Sequence, residues 1–375
     1  MSRRDQNQLR GFTLLELVVA MAIGLIVLGA AVSLFTRAVN LSFMVTQRAE
    51  MQQNGRAALD MMAKDISLAG AGIPSGGVQL PDGAGATASK FACDTTQCYV
   101  TNNQFPLSNN LFGLIPNPSV GLPLKTTSGA LGPNTDVLTV AYTDSTFPLN
   151  QYTAVFMNTA GTLVQFQIPN PLPIPLPTPW PPTAVNDPAQ GLAPGDLVLL
   201  TNNVGSAVAE VTLVAAAGAN VNVTFADLDT LNVNQSAAAL GNIKAIAGGS
   251  GTVASRLLLI SYYIDIPAGS DGVRYTTDDG PPRLMRQIGG HPPTPVAENI
   301  SGLQVTYDIF NDVSGVATAG LRDAGMSTGQ SPNEIRKVNL IVSTRSPLQG
   351  VVGYQTLDLA TAVSARDMSF KNRYN

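Results

Sequence analysis

The sequence predicts an α+β protein: a long N-terminal α-helix, its first half fit to cross a membrane, packed on a globular head with a largely antiparallel β-sheet. Three observations carry that expectation. Residues 12–35 are almost wholly apolar. Helical spacing of apolar residues then continues to about residue 69, where glycines and a proline stop it. From about residue 78 the pattern changes to short alternating runs separated by Gly, Asn and Pro turns. No recurring helices lie between them, which argues against a doubly wound α/β enzyme fold.

Composition narrows the setting. The chain has 375 residues and a net charge of −4, with only 12% Asp, Glu, Lys and Arg, about half the usual share for soluble domains. No basic excess points to nucleic acid. Ser, Thr, Asn, Gly and Pro carry the polarity, which suits an extracytoplasmic head with long loops.

The first element begins behind Arg3, Arg4 and Arg10, with Asp5 the only acid among them. That positive surplus keeps the N-terminus cytoplasmic. Phe12 to Phe35 would span roughly 36 Å as a helix, enough for a bilayer. A cleaved signal peptide has a shorter apolar core, about 7–15 residues, although "LGAA" at residues 28–31 resembles a cleavage site. A twin-arginine signal is poorly supported, because polar residues follow "SRR". A plain anchor fits the length but leaves Glu16 unexplained. An acid in lipid costs ~2.5–3.5 kcal/mol even on gentle insertion scales, so it calls for a partner. Arg10, six residues back, is too far. Cleavage between Gly11 and Phe12 would create one: the freed α-amine of Phe12, with a reference pKa of about 7.7–8.0, could pair with Glu16 of an adjacent copy.

"RGFTLLELVVAMAIGLIVLG" resembles the processing signal of type IV prepilins and type II secretion pseudopilins: Gly, then Phe-Thr-Leu, then Glu as the fifth residue after the cut. The resemblance implies that a prepilin peptidase cleaves after Gly11 and methylates Phe12, and that Glu16 sets subunit registration in a filament. One departure is the absence of proline from Phe12 to Ile73; within the membrane segment Gly24 and Gly29 are the only weak points for local unwinding.

The helix is expected to continue past the membrane, with Leu41, Val45, Met51, Ala58, Met62, Ile66 and Ala69 on one face and Arg56, Asp60 and Lys64 on a wet one. Met51, Met61 and Met62 read as core packing. The expected organisation is a leader at 1–11, a transmembrane part at 12–35, an amphipathic continuation at 36–72 and a β-rich head at 73–375.

Within the head, strand patterns occur in "TDVLTVAYTD" (135–144), "GDLVLLTNN", "AVAEVTLVAA" and "NVNVTFADLD" (195–229), and "RLLLISYYIDI" (256–266). "ISGLQVTYDIF", "IRKVNLIVSTRS" (335–346) and "YQTLDLATAVS" (354–364) follow. Together with "ALDMMAKDISLAGAG" and "RLMRQIGG", several of these runs resemble PilW-type minor pilins, relatives of the J-type pseudopilin. That likeness touches roughly the first 72 and last 180 residues.

Few residues invite chemistry. Cys93 and Cys98 in "CDTTQC" cannot complete a zinc site alone, and a short disulfide is the expected pairing in an oxidising compartment. His291 stands in a Gly/Pro loop and reads as solvated rather than catalytic. The acidic turns at 226–234 and 269–282 lack EF-hand spacing and read as turns, not calcium sites. "GGSGTVAS" (248–255) lacks a P-loop lysine. The Pro-rich stretch 169–183, with Trp180, favours an extended arm, read as a stiff connector rather than a docking ligand.

The resemblance thus implies a non-enzymatic minor pilin without cofactor or metal, made in the inner membrane with its head periplasmic and later displayed on a pilus. Its implied partners are the prepilin peptidase, other minor and major pilins and a pilus-tip adhesin. A J-type pseudopilin or a membrane-anchored binding protein are the rival readings.

Overall fold

A computed structural model describes residues 12–102, 109–125, 130–170, 172–175, 183–311, 314–324, 329–348, 354–365 and 368. The chain divides into two units, Met1–Glu50 and Met51–Asn375. One helix, α1 (Leu14–Ser67), contributes to both.

In the first unit the apolar side chains have no core. Leu14, Leu15, Met21, Leu25, Ile26 and Phe35 are between 65% and 81% exposed. Leu41 and Val45, placed by their spacing on a core-facing stripe, are exposed too. A lone helix offers its own unit nothing to pack them on.

The second unit is the head. Here the last turns of α1 bury Met51, Ala58, Leu59, Met62 and Ile66. Met61 departs from the core expected for it and is 42% exposed, because successive helical residues point about 100° apart. After Ser67 the chain turns through Gly70 and Gly72, both with positive φ, as only glycine does at little cost. The N–H of Gly70 donates to Ala141 O at 2.9 Å, and that of Thr143 to Ala71 O at 2.8 Å. A side chain at Gly113 would collide with Gly70, its Cβ only 2.3 Å from the Gly70 nitrogen.

Among the described residues three sheets of four or more strands build most of the head beside three two-stranded ladders, and every described strand pairing is antiparallel. The expected fold class, a long N-terminal helix on a largely antiparallel β-sheet head, is the one observed. The central sheet is organised by Val253–Asp265. One edge of that strand takes Leu197–Thr201 and then Arg283–Ile288; the other takes Val137–Thr143. A C-terminal sheet runs Ala317–Leu321, Ile300–Phe310, Ile335–Arg345, Thr356–Ser364. A lateral sheet runs Leu213–Ala217, Asn220–Thr224, Leu163–Gln167, Thr153–Phe156.

The run "AVAEVTLVAA" is not one strand. Ser206–Glu210 belongs to the central sheet and Leu213–Ala217 to the lateral one. Val211 N–H donates to Asp196 O and Thr212 N–H to Thr224 O, so the ladder changes partner between those two residues.

Alternation sorts the central strand's side chains. Ile260, Tyr262 and Ile264 join a core shared with α1 and with Leu303, Val305, Leu340 and Val342 of the C-terminal sheet. Leu257, Leu259 and Tyr263 join a second core with Phe91, Val100 and Leu197. Ala254 joins a third, against Val164, Phe166 and Val223 of the lateral sheet.

Candidate functional site

The candidate site lies at the start of α1. Thr13 and Glu16 form a capping box, the T-x-x-E pattern in which each residue serves the other's backbone. Thr13 N–H and Thr13 Oγ1 both donate to Glu16 Oε2, at 2.9 and 3.0 Å, and Glu16 N–H donates to Thr13 Oγ1 at 3.3 Å. Two N–H groups that the first helical turn cannot satisfy are thereby paired. The acid also sits at the positive end of the helix dipole. Both bonds to the carboxylate fall on one oxygen. Phe12, directly ahead, is 86% exposed. Gly11 lies outside the described residues. The box is legible in "TLLE", but sequence reasoning centred on the acid's cost in lipid and missed its pairing with Thr13.

The apolar run behind this cap is the one described helix long and apolar enough to cross a membrane. With the β-rich head it is consistent with a single-pass topology. At its far end Thr36 Oγ1 returns to Val32 O at 2.9 Å, so that hydroxyl is satisfied within the helix.

A second acid on α1 was not singled out from sequence. Asp65, 3% exposed, accepts bonds from Tyr142 Oη at 2.9 Å, Tyr262 Oη at 2.6 Å and Arg286 Nε at 3.0 Å. Burial raises both phenols, and the Asp65 charge raises them further. Burial alone would lower the Arg286 guanidinium, but the bond and charge of Asp65 outweigh it and raise it. This network fixes the helix end to the central sheet. Asp136 does similar work between sheets, accepting from Ser119 N–H and Val305 N–H at 2.8 Å each and from Arg322.

The other flagged residues are structural in their surroundings. Cys93 and Cys98 face each other across a hairpin and are joined in a disulfide. Asp94, inside that loop, accepts from Tyr99, Thr96, Gln97 and Arg274. Burial pushes its carboxyl up, but these donors hold it at about 2. His291 is not merely solvated: Nε2 lies 2.8 Å from Asp196 Oδ1, a bond that raises its pKa against burial. In the acidic turns, Asp229 accepts from Val233 and Asn234 N–H, and Asp278 from Ser270 and Thr276. Among the described residues no group of three His, Cys, Asp or Glu is placed to hold a metal ion. Trp180 lies outside the described residues.

Residues 7–32 match the family described as the prokaryotic N-terminal methylation motif. No curated protein and no solved structure matched the chain significantly. The motif and the long N-terminal helix are consistent with the type IV pilin and pseudopilin superfamily. The motif also implies processing by an enzyme of the prepilin peptidase kind.

Proposed function

We propose that this protein is a PilW-type minor pilin, cleaved between Gly11 and Phe12 and assembled through α1 into the base or tip of a type IV pilus. The reading is supported above all by the methylation motif running into a capped helix whose apolar residues from Leu14 to Phe35 are all exposed. The protein performs no chemistry of its own. Residues 12–35 span the inner membrane until neighbouring helices replace lipid around them, with the head in the periplasm. The free oxygen of Glu16 then takes the protonated Phe12 amine of an adjacent subunit, while the other oxygen keeps the helix start capped. Lateral packing and charge pairing favour assembly once a neighbour is present. A head of this size obstructs a uniform fibre, which favours a low-copy priming or tip role alongside other minor and major pilins and a tip adhesin.

Mass spectrometry of the mature N-terminus tests the proposal. A chain beginning at N-methylated Phe12 is expected. A chain that keeps its first eleven residues in its working form, or one that begins near Val32, would overturn it.

A further inference from the structure

Glu210 ends the strand Ser206–Glu210 and is buried there. Loop 226–236 folds over it. Thr230 N–H and Leu231 N–H donate to its two oxygens, at 3.2 and 2.9 Å. Two residues on, Val233 N–H and Asn234 N–H donate to the two oxygens of Asp229, at 2.8 Å each. Asn234 ties the loop back to the strand: its Oδ1 accepts from Glu210 N–H at 2.9 Å, and its Nδ2 donates to Glu210 O at 2.7 Å. The Asp229 carboxyl lies within bonding reach of the Glu210 carboxyl. Gly290 closes the other side, where a Cβ would stand 2.3 Å from Glu210 Oε1.

Ionised carboxylates only accept hydrogen bonds, so a bond between two carboxyls needs a proton. Among the described residues no cation stands in for it. Lys90, whose N–H donates to Leu231 O, has an exposed side chain. So has Lys244, on the short helix Ile243–Ile246 that packs against Ser206–Glu210. The strand Val78–Gln79, which packs there too, is uncharged. Asp227, the third acid of the loop, accepts from Ser236. Beyond Gly290, His291 is bonded to Asp196.

We propose that Glu210 and Asp229 share one proton, and that this proton is the clasp holding loop 226–236 on the head. Its loss sets two negative charges side by side, one of them buried, and lets the loop open. Leu231 and Val233 are buried by the closed loop. Lys90 N–H and Ser89 Oγ are bonded to Leu231 O and Asn232 O, so opening also slackens the approach to the disulfide hairpin. Burial first, and the second carboxyl after it, hold Glu210 above the ordinary carboxylate range. The clasp is therefore closed in mild acid and released as pH rises towards neutrality. The inference does not rest on the function proposed above.

Hydrogen exchange of the full chain in detergent, read by mass spectrometry from about pH 5 to pH 8 and corrected for the intrinsic rise in exchange rate, tests it. Protection of the amides at 230–234 should fall by up to about tenfold per pH unit, as the release of one proton on opening requires. It should stay below that of Val253–Asp265, because the loop opens on its own. Ser270 N–H, held by Asp278 in a separate turn, should show no such fall. Glu210→Gln and Asp229→Asn each leave a single carboxyl and should abolish the fall. His291→Gln, which touches only the bond to Asp196, should keep it. Flat protection in the unaltered chain, equal protection of the loop and Val253–Asp265, a fall that survives both carboxyl variants, or one that His291→Gln removes overturns the inference. Should neither carboxyl variant fold, the unaltered chain decides, and a fall shared by Ser270 overturns it.

Discussion

The two ends of α1 carry similar apolar side chains in opposite circumstances. Between Leu14 and Phe35 they are exposed; between Met51 and Ile66 one face is buried to 8% exposure or less. The two acids on the helix differ in the same way. Asp65 finds two phenols and a guanidinium inside its own chain. Glu16 finds only the threonine three residues before it. A helix end supplied with partners by its own head is a structural element. One left with bare apolar surface and a carboxylate bonded through a single oxygen has room for the membrane or neighbouring subunit proposed above.

The contrast can be broken first at Asp65. Asp65→Ala leaves Arg286 and two buried phenols without their acceptor, and should destabilise the head by about 3–5 kcal/mol, read by denaturant unfolding of the detergent-solubilised full chain. An effect below 1 kcal/mol would mean that burial of Met62 and Ile66 alone holds the helix end. Next is the disulfide. Replacing Cys93 and Cys98 with Ser opens a loop of sequence separation five and should cost about 2 kcal/mol on chain entropy. Arg274 still ties Asp94 to Asp265 in that variant.

A pH series sharpens the comparison inside the head. Glu210, 2% exposed, is pushed up to about 7, by burial first and by its bond to Asp229 second. An acid raised in the folded state favours folding while protonated. Its contribution is present below the unfolded pKa of about 4.5 and is lost as pH rises towards 7. His291, raised by Asp196, acts in the same sense, losing its contribution as pH rises past its folded pKa. The melting temperature should therefore fall between about pH 5 and pH 8, and Glu210→Gln should flatten that slope. An unchanged slope would clear Glu210 of the effect. Smallest in stability is Glu16→Ala. It should shift head unfolding by less than about 0.5 kcal/mol, yet leave precursor cleavage intact and sharply reduce incorporation into filaments, read by immunoblot of sheared pili. Normal incorporation would remove the role proposed for the carboxylate.

Much of this was legible in the sequence. The apolar run, the stop near Gly70 and the strands at Val137–Thr143, Val253–Asp265, Ile300–Phe310 and Ile335–Arg345 follow from periodicity, which is local information. Less legible were features set by distant contacts. Asp65 sits beside Lys64 and near Asp60 in a charged stretch, and only the fold brings Tyr142, Tyr262 and Arg286 to it. Leu163–Gln167 is a strand because Asn220–Thr224 and Thr153–Phe156 flank it. The capping box was local and readable. Its signal, a threonine three residues before the acid, is quieter than the acid's cost in lipid.

The strand Val253–Asp265 sends side chains into all three cores. No core can melt alone while that strand keeps its place, and losing the strand removes side chains from each of them at once. The head should therefore yield in a single step under heat or traction, with the amide protons near Ile260 among the slowest to exchange with solvent.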